Sequence, residues 1–167
     1  MEEMFQKILQ AIPGYQGYRA EEARRNADHT LRMNLARQFT TERKQLNNLT
    51  QKALQAQKYQ HLTRIDELGK KLDHFIARLE SAPRGYAGWF SDVNIDEADL
   101  VQIYEFDARM VDSVPLLREH IAHVEKELQT NDNLDEALNA LQTFIAGLHT
   151  QFDARVEFTL QGKRPTG

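Results

Sequence analysis

Two runs of the chain contain no glycine, 18–68 and 89–146, and proline occurs only at positions 13, 83, 115 and 165. Glycine and proline are the strongest local interruptions of regular structure, so stretches this long without them point to long helices. The apolar spacing agrees. Met110, Val114, Leu117, Ile121, Val124 and Leu128 step by 4, 3, 4, 3 and 4, and Leu134, Leu138, Leu141, Ile145, Leu148, Phe152 and Val156 continue the rhythm. Such narrow seams pack helices at shallow angles. Between them lies TNDN, where Asn131 suits a left-handed helix end and Asn133 with Glu136 suits a capping box.

The first half is rougher. Leu31, Leu35, Phe39, Leu46, Leu49 and Ala53 form one seam, and Leu62, Ile65, Leu72, Ile76 and Leu79 another. The phase breaks between Ala53 and Leu62, which places a turn in QAQKYQ, 55–60. No strong breaker stands there, so one continuous helix over 20–81, roughly 90 Å long, stays open. Asn94 and Glu97 offer a capping box for the third long helix, and Pro115 should kink it. The expected fold is all-α: one domain over 1–167, an antiparallel four-helix bundle with long coiled-coil-like helices at 20–56, 59–81, 96–129 and 134–160. A short helix at 2–12 precedes it and a frayed tail at 161–167 follows.

Against this background GYQGY (14–18) and GYAGW (85–89) stand out, each downstream of a proline. The topology brings both to one end of the bundle. The first helix, about 55 Å long, should overhang the second, about 33 Å long, and the loop 82–95 should cross the overhang. Ten of the fourteen aromatic residues map to this end. The glycines would supply tight turns, and the two copies are relics of a duplicated hairpin or two uses of one turn chemistry. The aromatics either plug the bundle or, if exposed, mark a binding patch. The candidate binding residues are Tyr15, Tyr18, Tyr86, Trp89, Phe90, Arg24 and Arg25. The two arginines, with Arg19 and Arg32, could hold a phosphate or an acidic partner, or pair with the acidic run from Asp92 to Asp112.

Charge is bipolar: residues 1–60 carry 10 Lys/Arg and 6 Asp/Glu, residues 61–129 carry 8 and 14, and the whole chain is −4. That is not the dense cationic face of a nucleic-acid binder, so no nucleic acid is expected. With no cysteine, disulfides and thiolate chemistry are excluded. His120 and His123, near Glu119 and Glu127, lie off the apolar seam and read as a solvated face. DVNID (92–96) lacks the later glycine and glutamate of a calcium loop. No convincing nucleophile setting or phosphate-binding glycine loop occurs, so no catalytic residue, metal, cofactor or small-molecule substrate is expected. Residues 1–12 lack the basic flank and apolar centre of a secretory signal, which makes the cytoplasm the expected compartment. The 2–12 helix could lie on a membrane surface, although Glu2 and Glu3 with a single Lys7 fit anionic lipid poorly.

PGYQGYRAEEARRNAD (13–28), RGYAGWF (84–90) and LVQIYEFDARM (100–110) resemble a family of bacterial helical-bundle proteins with PGYxGY and GYxGxF motifs. The resemblance covers most of the chain and implies a helical fold, with no activity and no residue roles. The leading expectation is a non-enzymatic interaction or scaffold protein that meets a protein partner, or itself, through the aromatic end. A peripheral membrane protein using the first helix is the alternative, and a metal-dependent enzyme the third.

Overall fold

The computed structural model describes residues 1–82, 88–92, 94–130 and 132–161. Pro83, Gly85, Tyr86 and the helix-ending Asn131, like most of the 161–167 tail, lie outside the described residues. The described chain is all-helical, without strands: α1 Glu2–Ala11, α2 Glu21–Gln55, α3 Leu62–Ser81, α4 Glu97–Thr130 and α5 Leu134–Gln161. Short 3-10 turns occupy Tyr59–His61 and Gly88–Ser91.

The helices bury the seams that the spacing defines. Leu31, Leu35, Phe39, Leu46, Leu49 and Ala53 are buried on α2, and Leu117, Ile121, Val124, Leu138, Leu141 and Ile145 on α4 and α5. On α3, Leu68 and Phe75 join Ile65, Leu72, Ile76 and Leu79 in the core, whereas Leu62 is only partly buried. α4 runs unbroken through Pro115.

Three helix boundaries use chemistry other than the expected boxes. α2 ends in a Schellman motif with Gln57 at φ +58°, and Lys58 N–H donates to Ala53 O at 2.8 Å. The turn falls within 55–60, where the phase break places it, but glutamine in the left-handed region costs energy that glycine would not, so no turn residue marks it. α4 is capped by Asp96, not Asn94. Its Oδ1 accepts from the N–H groups of Ala98 (3.0 Å) and Asp99 (3.1 Å), and Asp99 Oδ2 accepts from Asp96 N–H at 3.1 Å. Ahead of α5, Asn133 N–H donates to Glu127 Oε2 at 3.1 Å, so the reciprocal acceptor comes from α4 and not from Glu136.

Side-chain bridges fix the helix directions. Arg43 on α2 grips Asp73 on α3, and Arg32 reaches Leu79 O, so these two helices run antiparallel. Ser113 with Gln151, and Asp107 with Arg155, set α4 against α5 in the same sense. Between the two hairpins the neighbours run parallel. Glu42 pairs with Arg118 and Lys52 with Glu125 across α2 and α4, while Arg64 meets Asp135 and Arg78 meets Asp153 across α3 and α5. Among the described residues α3 and α4, although successive, make no close backbone approach. α1 packs on α4, with Ile8 fully buried and Lys7 Nζ 2.8 Å from Asp112.

Candidate functional site

Segment 12–20 turns the chain from α1 into α2 through two left-handed glycines, Gly14 (φ +79°) and Gly17 (φ +76°). A Cβ at Gly17 would lie 2.7 Å from Phe5 Cε2 and 2.7 Å from Tyr104 Oη, so the backbone there is wedged between α1 and α4. Tyr18 N–H donates to that same Tyr104 hydroxyl at 2.9 Å. Tyr18 then enters the core, edge-on to Tyr15 (centroids 5.7 Å) and to Trp89 (5.6 Å), with Phe90 at 6.1 Å.

The two Gly-Tyr-x-Gly-aromatic copies therefore do meet, through Tyr18 and Trp89. They meet inside the protein. Tyr15, Tyr18, Trp89 and Phe90 are at most 5% exposed. Of the two expectations, plug or exposed patch, the burial of these four rings fits the plug, with the Gly88–Ser91 turn packed against α2 and α5. The fifth aromatic candidate, Tyr86, lies outside the described residues.

Beneath the rings is a buried ionic network. Tyr18 Oη donates to Asp107 Oδ2 at 2.5 Å, Arg155 Nε donates to Asp107 Oδ1 at 2.6 Å, and Arg155 Nη2 donates to Tyr18 Oη at 3.0 Å. Arg155 also pairs with Asp28 at 2.9 Å, and Asp28 with Arg32 at 2.9 Å. Two carboxylates thus face two guanidinium groups from three helices. Burial raises the Tyr18 hydroxyl well above its ordinary pKa, and the Asp107 charge adds to the shift. Burial also raises Asp107, which Arg155 and Tyr18 pull back only in part. Burial by itself would lower Arg155, but the surrounding negative groups, Asp107 first, outweigh it and keep the guanidinium protonated.

The arginines of the first motif make contacts within this end. Arg24, itself buried, donates to Tyr18 O (2.8 Å) and Asp92 O (2.7 Å) and lies 5.8 Å from the Trp89 ring centroid. Arg25 is exposed and donates to Ser91 Oγ. Arg24 thus meets the backbone at the start of the acidic run, and Arg19 lies 3.6 Å from Glu97 at the surface. Arg155 and Asp28 were not among the candidate residues, although both fall on apolar seams.

Elsewhere, His120 stacks on Phe144 (centroids 4.7 Å), and His123 sits 3.5 Å from Glu127. Two surface hollows complete the geometry. One of about 490 Å³ is lined by Glu21, Glu22, Arg25, Phe90 and Ser91. The other, about 310 Å³, lies between α2 and α4. No family model matches the chain, and neither a curated protein nor a solved structure matches it.

Proposed function

We propose that this chain is a non-enzymatic helical interaction protein. Its four long helices are read as one bundle built from two antiparallel hairpins laid side by side. The observation that carries the reading is the separation of reactive groups from open space. Tyr18, Asp107 and Arg155 have the environment-shifted ionisation that reaction centres use, yet they are sealed under packed rings. None of them lines either hollow described above. Among the described residues packed rings cover them, and a network of this kind serves to hold the helix ends in register.

With the aromatic end filled, the contact surface moves to the opposite end. Leu54 is 41% exposed and Tyr59 61% exposed, and they flank the α2–α3 turn. An aromatic and an aliphatic side chain on this turn make an anchor for a protein partner or a second copy. Replacing both by serine tests this. Loss of the proteins recovered with the wild-type chain, or of its self-association in sedimentation, supports the reading. Identical recovery and identical sedimentation overturn it.

A membrane role for α1 has less support, because the face that would insert already packs on α4 through Ile8. None of the described helices is long and apolar enough to cross a membrane. Trp89 emission should be blue-shifted, poorly quenched by acrylamide and unchanged by liposomes. A lipid-dependent blue shift would return α1 and the aromatic end to consideration.

A further inference from the structure

We propose that the groove between α2 and α4 binds an alkylammonium group, carried by a linear polyamine or by a lysine side chain, on the free oxygen of Glu42. Glu42 occupies a core-facing position of α2, and its side chain is 2% exposed. Arg118 donates twice to one carboxylate oxygen, Oε1, at 3.0 and 2.7 Å. The second oxygen, Oε2, is buried and accepts no hydrogen bond. A buried acceptor without a donor is a standing penalty, larger when the group is charged. Glu42 also lines the hollow of about 310 Å³, together with Thr41, Gln45, Arg118, Ile121 and Glu125. An unsatisfied carboxylate oxygen thus stands beside a cavity large enough for a small ligand.

The chemistry selects the occupant. Arg118 already uses Oε1, which leaves one oxygen and suits a point donor better than a planar fork. A second carboxylate, Glu125, lines the same groove, about 10 Å along α4 from Arg118. The groove therefore offers a second acid to an amine that carries two ammonium groups. The floor also contains Ile121, which can cover the methylene stem of an extended amine. Both acids are paired with cations of the chain itself. Arg118 is 63% exposed and Lys52, which pairs with Glu125, is 40% exposed, so solvent reaches both cations.

The test is isothermal titration of the full chain with spermidine and, separately, with Nα-acetyl-lysine amide. One-to-one saturable binding of either amine is expected, weakened at least tenfold in Glu42→Gln. Tighter binding of spermidine would identify a free polyamine that uses both acids, and tighter binding of the lysine amide would identify a partner's lysine. Arg118→Gln removes the competing cation without touching the acid and should tighten binding several-fold. No saturable binding of either amine to the wild-type chain, as when the groove holds only water, overturns the proposal. So does binding that is equal in Glu42→Gln, or weaker in Arg118→Gln.

Discussion

The two Gly-Tyr-x-Gly-aromatic copies look alike in sequence and do different work. In the first, Gly14 and Gly17 are both left-handed and Gly17 is wedged between Phe5 and Tyr104. In the second, Gly88 opens a 3-10 turn, has no positive φ, and a Cβ there would meet nothing within 4 Å. The aromatic ends differ in the same way. Tyr18 joins a hydrogen-bonded ionic network, whereas the buried Trp89 indole N–H has no hydrogen-bond partner among the described residues. The matched positions Gly17/Gly88 and Tyr18/Trp89 therefore do not share one turn chemistry. The first copy is wired into three helices; of the second, the described Trp89 packs against Tyr18. Sequence likeness at a turn reports composition, and the backbone angle and contacts decide the role.

The comparison breaks most sharply at Arg155. Arg155→Leu leaves Asp107 and Asp28 without their shared cation inside the protein, and removing one partner of a buried pair costs about 3–5 kcal/mol. Urea unfolding should show that loss as a lower midpoint at unchanged slope. A loss below about 1 kcal/mol, the range of exposed pairs, would mean the network does not hold the first copy. Next comes Gly17→Ala. The left-handed backbone costs roughly 1–2 kcal/mol with a Cβ present, and crowding a packed site typically adds about 1–3. Hydrogen exchange should find residues 1–12 released as well, because the added carbon strikes Phe5 of α1. Unchanged protection of α1 would show that the wedge is not what seats it.

How much of this was legible follows from which rule each residue obeys. The helices could be read because their seams repeat at 3 and 4. The turn after α2 could be located by the phase break between Ala53 and Leu62, but its form could not, because Gln57 takes a conformation that sequence assigns to glycine. The cap of α4 was misassigned because Asp96–Asp99 and Asn94–Glu97 lie two residues apart and both qualify as boxes. The buried charges were missed because acids and arginines default to the surface. Yet the seams carried the signal: Arg155 follows Leu148 and Phe152 in phase, Asp28 precedes Leu31 and Leu35, and Glu42 fills the gap between Phe39 and Leu46. A charged residue in register with a core seam was the available clue. Tyr86 lies outside the described residues, so its part in the second copy has no structural account.

Alkali separates the copies without mutation. Tyr15 and Tyr18 are both raised well above the ordinary phenol pKa, chiefly by burial. The folded state keeps protons that the unfolded state releases near pH 10. Stability is therefore whole below about pH 10 and falls above it, by about 1.4 kcal/mol per pH unit for each such phenol. Tyrosinate absorbance should rise together with the loss of helix, and Tyr18→Phe should flatten the alkaline decline. Trp89, which does not titrate, contributes nothing to it. Smooth ionisation of Tyr18 in a chain that stays folded would show the first copy to be open to water.

The smallest expected effect is the most direct measure of the difference. Gly88→Ala places a methyl group in open space on a backbone that any residue can adopt. The native contacts stay as they are, and the unfolded chain loses conformational freedom. A change at such a site is neutral or stabilises by about 0.4–1 kcal/mol. The matched change at Gly17 destabilises by several times that amount, so the two alanine variants should move the unfolding midpoint in opposite directions or differ by a wide margin. Equal losses at both would mean that Gly88, like Gly17, is held by a close approach, and that the second copy is built in as firmly as the first.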